Sequence, residues 1–277
     1  MHLVKTLKDP KLNVLACGYA DLFSIHNHWN FEHVSVPYWR LYWNKKPGAF
    51  LVHGRRRVKL APSEMLLIAP HTIYSTRNHG HINQFFLHFQ IILPQSNLKP
   101  QIVAIPAAAQ LRNLANSIIA MLGRKKISLW QLSLYTRAFA ELTLAGVTND
   151  LFSGPFFDGR IQTAISYLEN RLGESISNAI LAAQAGMSVS AFVHLFKQQT
   201  RHSPCNFLMH KRIEKACLLL HFTDVSIKKI AEETGFCDRY HFSRVFKRWQ
   251  GMGPAEFRSK NYTPFKEDTG NITTRQR

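Results

Sequence analysis

Residues 181–207, LAAQAGMSVSAFVHLFKQQTRHSPCNF, return at 230–257 as IAEETGFCDRYHFSRVFKRWQGMGPAEF, and this internal repeat restricts the fold more than any other feature of the chain. Leu181, Ala182 and Gly186 match Ile230, Ala231 and Gly235 at an offset of 49. Phe192, Phe196, Lys197, Pro204 and Phe207 match Phe242, Phe246, Lys247, Pro254 and Phe257 at an offset of 50, so the second turn is one residue longer. Each copy reads helix, turn, helix. Gly186 or Gly235 ends the first helix in a left-handed conformation, and Ser188 or Asp238 offers a side-chain oxygen to cap the second.

Within that second helix Phe192, Leu195 and Phe196, or Phe242, Val245 and Phe246, recur at three and four residues and must face a core. The opposite face is left to Ser190, Val193, His194 and Lys197 in the first copy, and to Arg239, Tyr240, Ser243, Arg244 and Lys247 in the second. An exposed helix bearing arginine, tyrosine and serine fits a DNA major groove, where a guanidinium bonds guanine O6 and N7 and hydroxyls serve phosphates or base edges. A single basic helix is common on a solvated bundle, and one helix-turn-helix pattern is a loose signal; two copies with matching caps and stripes are a specific one. Composition agrees, since 35 Lys and Arg against 17 Asp and Glu leave a net charge of +18 and favour a polyanionic partner.

The motifs LAAQAGMS, LFKQQT, RIEKACLLL, IAEETGF, FSRVFKR and GMGPAEFR, spread over about Ile161 to Arg258, resemble the AraC/XylS family of bacterial transcription regulators. That resemblance implies seven helices, two helix-turn-helix units and a connecting helix, here about Cys205 to Leu220, which sets both reading helices in successive major grooves roughly 34 Å apart. It implies double-stranded DNA as partner, with RNA polymerase a second if the chain is an activator. The first copy departs from the family pattern at Arg201, where the second has Gly251, because a left-handed helix end suits glycine better. Its reading face is also less basic. The second unit is therefore expected to make charge-assisted base contacts and the first to rely on shape and apolar contact.

Up to about Phe89 the chain alternates short apolar runs (RLYWN, AFLVHG, MLLIAP, QFFLHFQIIL) with Gly, Pro and Asn, the pattern of an antiparallel sandwich or barrel. VHGRRRVKL makes a hairpin turning near Gly54. The stretch PGAFLVHGRRRVKLAPSEMLLIAPHTIYS with FFLHF looks like the cupin-type sensor domain common in the family, which implies a small effector inside the barrel. Alternation then puts Gln84, Phe86 and His88 on one wall, with Arg40, Trp43 and Tyr74 as further ligand-binding candidates. This half holds 17 Lys and Arg against 6 acids over residues 1–157, which admits an anionic effector, contact with flanking phosphate, or a plain basic surface.

From about Ala107 the period changes to that of helices. Leu111, Leu114, Ile118 and Leu122, then Leu129, Leu132, Tyr135, Phe139 and Leu142, line two amphipathic helices that either cover the sheet or pair with a second subunit. The expected fold is α+β: a cupin-like antiparallel β-barrel with two helices over residues 1–148, a linker at 149–158, an all-α domain with two helix-turn-helix units over 159–262, and a polar tail at 263–277.

No catalytic motif, phosphate loop or cofactor signature is present, and neither a metal nor a catalytic residue is expected. His26, His28, His33, His71, His79, His81 and His88 lack the carboxylate spacing of a metal cupin. Cys17, Cys205, Cys217 and Cys237 are too scattered for a zinc or redox motif and read as reduced thiols in cytoplasm. No signal-peptide core or membrane span is expected. The leading expectation is an effector-responsive, homodimeric DNA-binding regulator. The alternatives are a regulator whose first domain docks a protein, a cupin enzyme fused to DNA-binding helices, and an alkyl-repair protein, which would need clustered N-terminal cysteines where only Cys17 lies.

Overall fold

In the strand WRLYWN every side chain is buried, so the two faces of the sheet it belongs to must both be covered. A computed structural model of the chain, describing residues 11–22, 29–92, 100–147 and 157–260, shows how. The linker expected at 149–158, except its last two residues, and the tail at 263–277 lie outside the described residues, as do His26 and His28. The chain divides into two units, Met1–Leu93 with Leu98–Ser153, and Pro94–Asn97 with Gly154–Arg277.

The N-terminal unit holds strands β1 (Lys11–Leu22), β2 (Trp39–Asn44), β3 (Ala49–His53), β4 (Arg56–Leu60), β5 (Glu64–Ile68), β6 (Ser75–Asn78), β7 (Ile82–Ile92) and β8 (Ile102–Pro106). They form a five-stranded sheet in the order β1-β7-β2-β5-β8 and a three-stranded sheet in the order β4-β3-β6. Among the described residues neither sheet closes. The barrel expected from the sequence is instead two open antiparallel sheets, because β3 pairs with β4 and β6 and leaves β1 and β8 as the edges of the larger sheet. The hairpin turns as expected, with Gly54 at φ +57.

Helices α1 (Ala109–Leu122) and α2 (Leu129–Ala145) cover one face of the larger sheet. Leu111, Ala115, Ile118 and Met121 of α1 and Phe139, Ala140 and Leu144 of α2 join Trp39, Leu41, Trp43, Phe85, Leu87 and Phe89 in one apolar cluster, with the Phe85 and Phe139 rings edge to face at 5.4 Å. Leu111, Ile118 and Phe139 are thus core side chains. Leu129, Trp130, Leu134 and Leu142 are exposed on α2.

The C-terminal unit is helical: α3 (Gly159–Glu169), α4 (Asn178–Gln184), α5 (Val189–Thr200), α6 (Pro204–Phe222), α7 (Ile227–Glu233), α8 (Arg239–Gln250) and α9 (Pro254–Lys260). It has two cores. One gathers Ile161, Ile165, Leu168, Leu181, Phe192, Phe196 and Leu208; the other gathers Ile213, Cys217, Leu220, Ile230, Phe242, Phe246 and Phe257. The 19-residue α6, roughly 28 Å long at 1.5 Å per residue, gives its first turns to the one and its last turns to the other. Burial raises the Cys217 thiol pKa within the second core. Cys17 in the N-terminal unit is likewise pushed up, to about 11, by burial, so both thiols stay protonated. Among the described residues no single helix is long and apolar enough to cross a membrane.

Candidate nucleic-acid interface and interior polar cluster

Each repeat copy builds its turn from the same parts. In the first, Gly186 at φ +61 ends α4, Met187 N–H reaches back to the Ala182 carbonyl at 2.9 Å, and Ser188 Oγ accepts from Ala191 N–H at 3.4 Å. Helices α4 and α5 meet at 85°, near the angle typical of a helix-turn-helix. In the second, Gly235 at φ +76 ends α7, Phe236 N–H bonds the Ala231 carbonyl at 2.9 Å, and Asp238 Oδ1 accepts from both Tyr240 and His241 N–H at 2.7 Å. The His241 N–H, then the Cys237 thiol and the Tyr240 N–H, hold the Asp238 carboxyl below its ordinary pKa.

Arg212 locks the second turn to the first half of the unit. From the middle of α6 its Nε donates to the Leu172 carbonyl at 2.8 Å, its Nη1 to Gly235 at 2.8 Å and its Nη2 to Glu174 at 2.7 Å. Nothing local in the sequence announces this role, because the three acceptors lie 23 to 40 residues away.

On α8 the side chains of Arg239, Tyr240, Arg244 and Lys247 are exposed together, Tyr240 at 80 %, with Ser243 half-buried beside them. The core side of the same helix is Phe242, Val245 and Phe246. On α5 Ser190, His194 and Lys197 are exposed. Val193, expected beside them, is half-buried and packs against the apolar cluster, because it follows Phe192 and the inward stripe is wider than two positions. The helix ends also differ. Gly251 closes α8 at φ +76, and Arg201 closes α5 in the same left-handed conformation at φ 63.

In the N-terminal unit the register of β2 on β7 sets Arg40 opposite His88, Tyr42 opposite Phe86 and Asn44 opposite Gln84. All six are buried on the face turned away from α1 and α2. Arg40 Nη1 donates to Tyr74 Oη at 2.9 Å and to Tyr42 Oη at 3.4 Å, and Nη2 donates to Tyr38 Oη at 3.1 Å. Tyr74 leads into β6, so this contact joins the two sheets. The His88 ring sits 5.0 Å from that of Phe86 and 5.5 Å from that of Tyr38. Gln84 Nε2 donates to Asn44 Oδ1 at 3.2 Å.

Five of the six expected ligand candidates, Arg40, Tyr74, Gln84, Phe86 and His88, therefore line this interior. Trp43 does not: strand alternation turns it to the other face, where it packs in the core under the helices and its Nε1 donates to the Pro62 carbonyl at 3.0 Å. The parity of Arg40 and Trp43 on one strand already separates them. Tyr38 and Tyr42 share the parity of Arg40 and were missed.

Comparison with known proteins bears on the repeat first. A model described as a helix-turn-helix domain matches residues 181–260. The arabinose operon regulatory protein of Salmonella typhimurium is 37 % identical over 106 residues, 38 % of each chain. The similarity lies in the C-terminal half of the chain, where the repeat stands. The transcriptional activator RhaS of Escherichia fergusonii is similar at 34 % over 121 residues, 43 % of this chain and 44 % of that one. The chain thus spans about two fifths of the length of these AraC-type relatives. Over both units the fold is like that of ToxT from Vibrio cholerae solved with an unsaturated fatty acid, at a TM-score of 0.53 and 13 % identity, covering 91 % of this chain and 97 % of that one.

Proposed function

We propose that the chain is a sequence-specific, DNA-binding transcription regulator whose N-terminal unit senses a small molecule. The observation that carries the reading is the pair of capped reading helices, α5 and α8, held by one 19-residue helix whose roughly 28 Å span is close to the separation of successive major grooves. Arg239 and Arg244 serve base edges or phosphates, Tyr240, Ser243 and Lys247 flank them, and Ser190, His194 and Lys197 read with less charge. Double-stranded DNA is the partner, RNA polymerase a second one at an activated promoter, and the cytoplasm the compartment. Selection of bound genomic fragments followed by footprinting tests this. It should return sites protected at two positions about one helical turn apart, and protection without sequence preference would overturn the reading.

The N-terminal unit fits a sensor because its interior combines aromatic walls with a few polar groups, the usual make-up of a ligand site. Binding there regulates only if the ligand favours one state of the protein over another.

A homodimer is the second part of the proposal, and it rests on the α2 surface. Leu129, Trp130, Leu134 and Leu142 are 47 to 76 % exposed, which suits a face covered by a second copy. Sedimentation of Trp130→Glu should show a folded monomer where the native chain is a dimer. Ile118→Asp should instead unfold the unit, because Ile118 is wholly buried.

A further inference from the structure

Arg40 is a buried cation whose surroundings leave its charge uncompensated. It is 6 % exposed, and among the described residues no carboxylate pairs with it. Glu32, near β6, is engaged by Ser75 and by Arg77. The three groups that hold Arg40 are phenols, and burial raises the pKa of Tyr74 well above the ordinary tyrosine range, so its hydroxyl stays neutral. An arginine does not escape burial by losing its proton, and a buried charge is ordinarily paired. A sheet interior built for packing alone would place an apolar side chain here.

The hydrogen bonds of the guanidinium show where the missing partner goes. Of its five N–H donors, two on Nη1 and one on Nη2 serve the tyrosines, while buried Nε has no hydrogen-bond partner among the described residues. Nε and Nη2 form one side edge of the planar group, an edge that receives two oxygens at once, and Nη2 has a second donor to give. Asn44 Nδ2, buried on the same face of β2, is a further donor with no hydrogen-bond partner among the described residues.

We propose that this interior binds a small carboxylate, its two oxygens on Nε and Nη2 of Arg40 and its body against the rings of Tyr38, Tyr42 and Phe86. The proposal rests on the sensing role given to the unit and names the chemical class of its ligand. One guanidinium edge matches the charge and planarity of a carboxylate, and no second cation lies among the contacts of Arg40 to balance a phosphate dianion.

The test is thermal unfolding and tryptophan fluorescence of the full chain, since Trp29 lies edge-on to Tyr42 at 5.8 Å. The probes are benzoate and hexanoate at millimolar concentration, with benzamide, hexanamide and inorganic phosphate as controls. The carboxylates should raise the melting temperature saturably and the amides should not. Arg40→Met should bind the carboxylates at least about tenfold more weakly. Tyr74→Phe, which removes only the hydroxyl that positions Arg40, should weaken them less and serves if Arg40→Met does not fold. Equal shifts from amides and carboxylates, tighter binding of phosphate, native-like binding by either variant, or no shift from any carboxylate would each overturn the assignment. DNA affinity separates this proposal from the sensing role: carboxylate binding that leaves affinity for the selected DNA sites unchanged keeps the ligand and removes the sensor.

Discussion

The two helix-turn-helix copies share one plan and differ in how each part is made. The first caps its reading helix with Ser188, ends it on Arg201, and presents Ser190, His194 and Lys197; the second uses Asp238, Gly251, and Arg239 with Arg244. The fold needs only an oxygen at the cap, a left-handed residue at the end and phenylalanines inward, so those survive in both copies. Charge on the outer face is free to vary. The difference teaches that shape is duplicated in this unit while the charge of the outer face is not.

The largest expected effect lies in the turns. A β-carbon at Gly235 would come within 2.7 Å of both Arg212 Nη2 and the Leu172 carbonyl, at a positive φ, whereas at Gly186 there is nothing within 4 Å and only the φ opposes it. Gly235→Ala should therefore destabilise the unit by about 3 kcal/mol or more and Gly186→Ala by about 1 kcal/mol. Urea melts of the two variants check this, and equal losses would break the comparison.

The next effect is on DNA. Replacing Arg244 or Arg239 with Ala should cost about 1–3 kcal/mol on a selected site if the side chain bonds a base, and His194→Ala should cost less. Equal loss on random DNA would make the arginine a phosphate contact. The salt dependence of the native chain should be steep, and each lost phosphate contact should reduce its slope by about one.

What the sequence revealed and concealed follows from range. The helix faces on α8 were legible because Phe242, Val245 and Phe246 repeat at helical spacing and charges fill the rest. The Arg40 wall was half legible: β2 is buried on both faces, so hydrophobicity could not say which way Trp43 points, although parity could. The open sheets and the Arg212 clamp were not legible. Pairing of β3 with β6 and the acceptors of Arg212 join residues far apart in the chain, and no local pattern encodes such partners.

A smaller effect concerns the helix ends. Arg201 sits at φ 63, a conformation that costs a side-chain-bearing residue and that Gly251 adopts freely. Arg201→Gly should stabilise the first copy by up to about 1 kcal/mol, less what glycine adds to the entropy of the unfolded chain. A calorimetric scan showing no gain would mean that the arginine is compensated by contacts of its own.

The smallest effect is on pH and separates the caps themselves. Asp238 has its pKa lowered in the folded chain by the N–H groups it accepts from, so its contribution is present above the unfolded value of about 3.9 and is lost as pH falls through the lower folded value. Ser188 does not titrate in this range. Acidification should thus speed amide exchange at Tyr240 and His241, the capped N–H groups of α8, before it does so at Ala191 of α5. Asp158, which caps α3 and whose carboxyl Arg160 holds at about 2, should lose its cap in the same direction as pH falls through that value. In Asp238→Asn the side-chain oxygen still caps but carries no charge, and the exchange at Tyr240 should become flat with pH in this window. Were the native chain already flat there, the aspartate would act as a neutral cap and the two copies would be electrostatically alike at this position.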